Sequence, residues 1–193
     1  GQSNGVGNAY VPQAPEWGIN QDSIYQYWIT QASTVESSNW VPLSDVDNYF
    51  SVELSFGLST QNNRGPIGVI KVAQNSTNLH EDWNPDGGNL YNTFISKTTR
   101  YLDQLEDMGY IWNIKGMLWL QCEGDAAELG PASSYKNNLL NFRDAIKNRF
   151  GLEKLPFAYY QAHIDLDRPY TDNIRHQQFL ASLEPDMHMI NMD

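Results

Sequence analysis

The sequence of 193 residues has few basic residues, one cysteine and no long apolar run, and each of these shortages excludes a class of protein. Lys and Arg total 12 against 23 Asp and Glu, so the formal net charge is −11. Nucleic acid is not an expected partner, because its binding depends on basic side chains that neutralise phosphates. The single cysteine, Cys122, excludes an intrachain disulfide framework and a cysteine-based zinc site. No apolar run reaches about 18 residues, so the sequence predicts no membrane span.

Sequence motifs for cofactors and metals are also missing. The chain contains no GxGxxG and no P-loop, so we expect no nucleotide cofactor, and it contains no HExxH, so we expect no metal mechanism. The amino end lacks a starting Met, a basic segment and an apolar segment of the kind that directs secretion. It opens instead on Gly1-Gln2-Ser3-Asn4, which is typical of the interior of a longer polypeptide.

The composition is that of one folded globular domain, which we expect to span residues 1–193. Hydrophobic residues make up 40% of the chain and aromatic residues 12%. The aromatic residues of the irregular segments could stack on sugars or could anchor long loops in the core, and the composition does not separate the two. They are Trp17, Trp28, Trp40, Trp83, Tyr25 and Tyr27.

From residue 66 onward, short apolar runs alternate with longer segments of helical period, which predicts an α/β fold with a parallel sheet and crossover helices. The predicted strands are Ile67–Ala73, Ile114–Leu120, Leu155–Tyr160 and Met187–Met192. The predicted helices are Asn89–Met108, which Gly109 ends, then Ser134–Phe150, which Gly151 ends, and Thr171–Leu183.

The first part of the chain is less regular. Gly7 to Pro42 is rich in polar and aromatic residues, so we expect a long surface excursion with one short helix, followed by a helix from Asp45 to Thr60. A sheet of this type would begin with a strand before the first loop and end with a covering helix. We therefore expect the first strand and the C-terminal helix to lie outside the 193 residues.

Polar residues follow each predicted strand. In a parallel sheet the ligand crevice lies outside the carboxyl ends of the strands, so these residues are the candidates for a site. The alternative is that strand-end loops are polar because they are solvated. The set comprises Ser3, residues 74–78, Gln121, Glu123, Asp125, Gln161, His163, Asp165, Asp167 and Asp193.

Three motifs, taken in order, resemble the SGNH/GDSL hydrolases and most closely the sialate O-acetylesterase and carbohydrate esterase family 6 group. They are Gly1-Gln2-Ser3-Asn4, Glu53-Leu54-Ser55-Phe56-Gly57 and the segment from Gly116 to Asp125. The resemblance covers nearly the whole chain after Tyr49. It implies a three-layer α/β/α, flavodoxin-like fold and an esterase acting on acetylated carbohydrate.

The same resemblance implies roles for individual residues. Ser3 would be the nucleophile, the Gly57 N–H would donate to the oxyanion, and Gln121 would supply a side-chain amide donor. Glu123 and Asp125 would form a hydrogen-bonding frame, with a solvated pair of loop residues as the alternative. The remaining substrate-binding candidates are Asn4, Thr77, Asn78 and His163.

The sequence departs from the group at two points. Asn75-Ser76 stand where the group has a double glycine, and the group's Asp-x-x-His motif, which provides the base and its orienting carboxylate, is missing. The nearest sequence, Asp186-Met187-His188, is one residue too short, so His188 is interpreted as a strand or core histidine. We therefore expect the catalytic His and Asp to lie beyond Asp193.

The expected function is removal of O-acetyl groups from a polysaccharide or a sialic-acid-containing glycan through an acyl-enzyme on Ser3. The expected partners are the acetylated glycan and other domains of a longer chain. The expected location is extracellular or periplasmic, or in a virion tail. The alternative is a carbohydrate-binding or structural domain that keeps the fold and has lost the base.

Overall fold

The computed structural model describes residues 9–10, 24–30, 35–36, 39–43, 49–50, 52–60 and 66–191. Their contacts divide the chain into two compact units, residues 1–75 and residues 76–193, which are described separately below. Among the described residues, no helix is both long enough and apolar enough to cross a membrane.

The first unit is built around two long parallel strands. Its elements are β1 (Ala9–Tyr10), β2 (Ile24–Thr30), β3 (Val35–Glu36), β4 (Val41–Pro42), β5 (Tyr49–Phe50), α1 (Val52–Thr60) and β6 (Ile67–Ala73). Strands β2 and β6 run parallel over seven register pairs, from Ile24 with Ile67 to Thr30 with Ala73. Strands β3 and β4 pair antiparallel with β2, and β1 pairs antiparallel with β5.

The expectation of an irregular excursion from Gly7 to Pro42 is therefore wrong for its central part. Residues 24–30 are rich in β-branched and aromatic side chains, which favour a strand. The sequence signal is weak because polar Gln26 interrupts the apolar run, although Gln26 is itself buried. The predicted helix from Asp45 to Thr60 is shorter than expected, since α1 begins at Val52 after strand β5.

The core of the first unit lies between α1 and strand β2. Ile24, Leu43 and Leu54 form a buried apolar cluster, and Ile67 packs against it. Gly57 allows this close packing, because a Cβ at position 57 would lie 2.1 Å from Leu43 Cδ2. The glycine of the Glu53–Gly57 motif thus has a packing role in this structure.

A buried ion pair joins α1 to β6 in the same unit. Lys71 Nζ lies 2.8 Å from Glu53 Oε1, and the two side chains are only 9% and 6% exposed. Glu53 stands in the first turn of α1, where a carboxylate also interacts favourably with the helix dipole. The pair therefore fixes the amino-terminal end of α1 against the strand.

The second unit contains a parallel sheet and three long helices. Its elements are α2 (Asn89–Asp107), β7 (Met117–Trp119), a 3-10 turn (Asp125–Ala127), α3 (Leu129–Arg149), β8 (Phe157–Tyr160), α4 (Thr171–Ala181) and β9 (Met187–Ile190). Strand β8 lies between β7 and β9 and is parallel to both. The predicted α/β fold with a parallel sheet and helices is confirmed.

Two of the predicted helix ends are also confirmed. Helix α2 is followed by Gly109 with φ of 83°, and α3 is followed by Gly151 with φ of 62°. This left-handed conformation costs glycine little, which is why glycine commonly follows the last turn of a helix.

One face of the β7–β8–β9 sheet carries the helices. The ring of Phe142 on α3 lies 4.7 Å from that of Trp119 and 6.3 Å from that of Phe157, between ring centroids. Trp83 packs edge-on against Trp119 at 5.3 Å and is 1% exposed, so it anchors its loop in the core. On the opposite face Leu118 is 39% exposed.

Candidate active site

The carboxyl ends of the parallel strands β7 and β8 lie on the same edge of the second unit's sheet. Strand β7 ends at Trp119, so the segment from Gln121 to Asp125 follows directly at this edge. Strand β8 ends at Tyr160, and His163 follows it. The polar residues that the sequence placed after these strands therefore come to the position where α/β proteins bind ligands.

Asp125 is the centre of a buried hydrogen-bond network. Its carboxylate accepts from the backbone N–H of Leu79 at 2.7 Å and of His80 at 3.0 Å, and from Gln121 Nε2 at 2.6 Å. Burial raises the pKa of Asp125, and the hydrogen bonds that it accepts oppose this rise. Asp125 is therefore buried and hydrogen-bonded and is not a solvated loop residue, and its place in the frame of a catalytic site stays a prediction.

Gln121 is buried in contact with Asp125. Its Nε2 also donates to the carbonyl oxygen of Thr77 at 3.2 Å, so both amide hydrogens have acceptors within the second unit. Its Oε1 is buried and has no hydrogen-bond partner among the described residues. A role as oxyanion donor stays a prediction, and in this structure it would require one of the two existing hydrogen bonds to be exchanged.

Thr77 is held by its neighbours on both sides of the loop. Its hydroxyl oxygen accepts a hydrogen bond from Trp83 Nε1 at 3.0 Å, and the side chain is 3% exposed. Gly124 packs directly on its backbone, because a Cβ at position 124 would lie 2.3 Å from the Thr77 carbonyl oxygen. The Thr77 hydroxyl is therefore buried against Trp83 and is not exposed to a substrate in this structure. The main contribution of Thr77 is to the frame.

Glu123 belongs to a second group of contacts beside this network. Tyr160 donates its hydroxyl hydrogen to Glu123 Oε1 at 2.5 Å, and the Cys122 N–H donates to Oε2 at 3.1 Å. The thiol of Cys122 lies 3.4 Å from the Tyr160 hydroxyl oxygen. Burial raises the pKa of Cys122 and of Tyr160, and the nearby Glu123 raises both further. Both groups are therefore kept in their protonated forms.

Asn78 is positioned by a turn that Asp82 closes. The Asn78 N–H donates to Asp82 Oδ2 at 2.8 Å, and Asn78 Oδ1 accepts from the Glu81 N–H at 2.7 Å. The next residue but one, His80, lies with its Nδ1 3.3 Å from Asn138 Nδ2. The loop from Thr77 to Asn84 is thus fixed by its own side chains as well as by Asp125.

Among the described residues, the other histidines form no hydrogen bond with this network. His163 is exposed after β8, and its Nδ1 accepts from the Asp165 N–H at 3.1 Å. His188 lies in β9 as predicted, but its side chain is exposed and does not belong to the core. His176 is exposed on α4. Among the described residues, no three His, Cys, Asp or Glu side chains are grouped as metal ligands would be.

Two catalytic candidates from the resemblance belong to the first unit. Ser3, with the adjacent binding candidate Asn4, lies outside the described residues. Gly57 is the sixth residue of α1, and an N–H at that position of an α-helix donates to the carbonyl four residues earlier, here that of Glu53. The oxyanion role of Gly57 stays a prediction, and this position inside the helix argues against it.

Sequence reasoning missed two residues that complete the site of the second unit. Tyr160 was treated only as the end of a strand, yet it is the hydrogen-bond donor to Glu123. Asp82 was not singled out, yet it closes the Asn78 turn. Tyr160 could have been identified from its position as the last residue of a predicted parallel strand. No signal in the sequence identified Asp82.

The second unit has parallel strands with a polar network at their carboxyl ends. This arrangement is typical of α/β proteins that bind ligands at this edge of the sheet. Residues 1–193 match the family described as carbohydrate esterase, sialic acid-specific acetylesterase, and the chain belongs to that family. The resemblance drawn from the motifs is confirmed, and membership supports an esterase activity. No curated protein matches the sequence.

Solved structures with the same fold include proteins of low sequence identity. A protein from Arabidopsis thaliana is 21% identical with a TM-score of 0.75, over 99% of this chain and 82% of that one. A carbohydrate acetylesterase from Xanthomonas citri is 18% identical with a TM-score of 0.68, over 91% of this chain and 43% of that one. NanS is 13% identical with a TM-score of 0.68, over 100% of this chain and 75% of that one.

Proposed function

We propose that this protein is a serine esterase that removes O-acetyl groups from carbohydrate, with Ser3 as the nucleophile. The observation that carries the proposal is the match of all residues 1–193 to the carbohydrate acetylesterase family. The network around Asp125, at the sheet edge where α/β enzymes bind ligands, supports it. The proposed substrate is an acetylated polysaccharide or sialic-acid-containing glycan, encountered outside the cytoplasm.

The proposed reaction has two steps. The Ser3 hydroxyl attacks the acetyl carbonyl, the sugar hydroxyl leaves with a proton, and water then releases acetate from the acyl-enzyme. A serine hydroxyl needs an imidazole to accept its proton at neutral pH. We assign this role to a His and an Asp outside residues 1–193, because the Asp-x-x-His motif of the resemblance is not in this sequence.

The test is acetate release from an O-acetylated sialic acid and from phenyl acetate by the full-length protein that contains this chain. Ser3→Ala should lower kcat by about 1,000-fold or more, because removal of the nucleophile leaves only binding and oxyanion contributions. The matched control is Ser133→Ala, at an exposed position on α3, which should leave kcat unchanged.

A fluorophosphonate should label the peptide that contains Ser3 in the wild-type protein and not in the Ser3→Ala variant. Turnover by Ser3→Ala above one tenth of the wild-type rate would contradict the assignment of the nucleophile. Absence of hydrolysis by the wild-type protein on both esters, with retained binding of the sugar, would favour the carbohydrate-binding alternative.

A further inference from the structure

We propose that the second unit associates with a second copy of the same chain through the edge of its sheet at the amino ends of the strands. This amino edge comprises the helix ends and the segments that lead from them into the strands, residues 103–116, 147–156 and 182–186. It lies at the opposite end of the strands from the polar network around Asp125. The proposal does not depend on the proposed function.

The three segments of the amino edge contact one another. The Met117 N–H donates to the Pro156 carbonyl oxygen at 2.9 Å. The Phe157 N–H donates to the Asp186 carbonyl oxygen at 2.8 Å. A Cβ at position 116 would lie 3.0 Å from the Pro156 carbonyl oxygen, so Gly116 lets the first two segments approach closely. The amino edge is therefore one continuous surface.

The first segment exposes a cluster of apolar side chains. Ile111 is fully exposed, and Met108 and Tyr110 are 61% and 52% exposed. Trp112 holds this segment against the end of α2, because its Nε1 donates to Glu106 Oε1 at 2.9 Å. An exposed apolar cluster with a fixed position is typical of a surface that binds another protein.

Acidic side chains accompany this apolar cluster. Asp103, Glu106 and Asp107 are exposed near the end of α2, and the last turn of this helix has no basic residue. Carboxylates at this end of a helix face the negative pole of its dipole, which is unfavourable in the isolated chain. Lys115 is the one basic residue of this segment, so the formal charge of residues 103–116 is −2. This arrangement favours a partner that brings positive charge.

The second segment carries the opposite charge. Lys147 and Arg149 lie in the last turn of α3, and Lys154 follows in an exposed position. One acidic residue lies in the same segment, so the formal charge of residues 147–156 is +2. This segment therefore has the charge that the first segment favours in a partner.

The two segments do not neutralise each other within one chain. Among the described residues, no ion pair joins the acidic end of α2 to the basic end of α3. A second copy related by a two-fold axis would place the acidic segment of each chain against the basic segment of the other. Ile111 would then pack against the half-buried side chains of Phe150 and Leu152 of the second copy. One surface thus supplies both halves of a self-complementary interface.

The first experiment is sedimentation velocity of the full-length protein that contains this chain, at micromolar concentration and low ionic strength. The wild type should sediment as a dimer. Ile111→Ser should raise the dimer Kd by about 10-fold or more, because the burial of an isoleucine side chain is lost. Its circular dichroism spectrum should stay that of the wild type, since Ile111 is fully exposed.

The matched control is Leu129→Ser. Leu129 is 53% exposed at the start of α3 and so lies outside the amino edge. Its dimer Kd should stay within about 3-fold of the wild-type value.

The second experiment reverses the charge of one segment at a time. Asp103→Lys/Asp107→Lys makes both segments basic, and Lys147→Glu/Lys154→Glu makes both acidic. Each variant alone should be monomeric where the wild type is a dimer, because like charges would face each other across the interface. An equimolar mixture of the two variants should form a heterodimer, because each segment of one variant then faces a segment of opposite charge.

Four results would overturn the proposal. A wild-type protein that stays monomeric at micromolar concentration would remove the second copy as the partner. An unchanged dimer in Ile111→Ser, or an equal loss in Leu129→Ser, would place the interface elsewhere. A charge variant that dimerises alone as well as the wild type would show that the two segments do not face each other. A mixture of the charge variants that stays monomeric would show the same.

Discussion

Two buried carboxylates, one in each unit, are stabilised in different ways. Glu53 in the first unit lies against the ammonium group of Lys71 at 2.8 Å. Among the described residues, the donors to Asp125 in the second unit are neutral, namely two backbone N–H groups and one side-chain amide. A buried carboxylate loses the solvation of its charge, and the protein compensates with an opposite charge in one case and with several dipoles in the other.

The difference shows that a buried carboxylate can be compensated by a cation or by several neutral donors. Removal of Lys71 would take away a cation that lies 2.8 Å from Glu53, whereas Asp125 would keep two of its three described donors if any one were removed. The hydrogen bonds to Asp125 also hold the Leu79–His80 loop and the Gln121 amide in defined orientations. The ion pair of Glu53 with Lys71 does not need such defined orientations. A carboxylate of the second kind is therefore better suited to the frame of a site.

The largest effect is expected for Lys71→Met. Glu53 would stay buried and lose the ammonium group that lies 2.8 Å from it, and breaking a buried ion pair costs about 3–5 kcal/mol. The double variant Glu53→Leu/Lys71→Met should recover part of this loss, since it removes both charges of the pair. Urea unfolding of the three proteins measures both values, and a single variant less costly than the double one would contradict the buried ion pair.

Gly124→Ala should have the next largest effect, about 3 kcal/mol of lost stability, because overpacking against a backbone cannot be relieved by a side-chain movement. The added Cβ would meet the Thr77 carbonyl oxygen at 2.3 Å. Gly57→Ala, in the first unit, would meet the end of the Leu43 side chain at 2.1 Å, which can shift, so its cost should be about 1 kcal/mol.

Gly130→Ala is the control for this pair of variants. Nothing lies within 4 Å of the added Cβ at this position of α3, so the change should stabilise the protein by about 0.5–1 kcal/mol. Thermal unfolding of the three variants checks the order. A smaller loss for Gly124→Ala than for Gly57→Ala would show that the backbone contact at Thr77 can relax.

Tyr160→Phe should cost about 2 kcal/mol, as expected for a hydrogen bond to a charged group. Glu123 would lose the Tyr160 hydroxyl donor at 2.5 Å and keep the Cys122 N–H at 3.1 Å. Glu123 is half-buried and, like Asp125, accepts from neutral donors. The loss of stability in Tyr160→Phe should therefore be smaller than that in Lys71→Met. Denaturant midpoints of the two variants at one pH provide the comparison.

The sequence predicted the second unit better than the first for a physical reason. The helix from Asn89 has a clear period and a glycine stop, the strand ending at Tyr160 is a short apolar run, and the structure keeps both. Strand β2 was missed, because its apolar run contains a buried glutamine whose environment only the tertiary structure supplies. The same limit applied to the site: strand-end position indicated Gln121 and Asp125, but hydrogen-bond direction within the network was not readable from residue types.

The smallest effect concerns Ser76, whose φ is 57°. This left-handed conformation costs a residue with a Cβ about 1–2 kcal/mol, whereas glycine adopts it readily and loses about 0.5–1 kcal/mol in chain entropy. Ser76→Gly should therefore raise stability by about 0.5 kcal/mol, measured as a shift of the urea midpoint at constant slope. Ser133→Gly on α3 is the control and should lower stability by about 0.5–1 kcal/mol, because glycine is unfavourable inside a helix. Equal losses at both positions would mean that the loop, like the helix, gains from the Cβ, and that the strain at Ser76 is relieved by its surroundings.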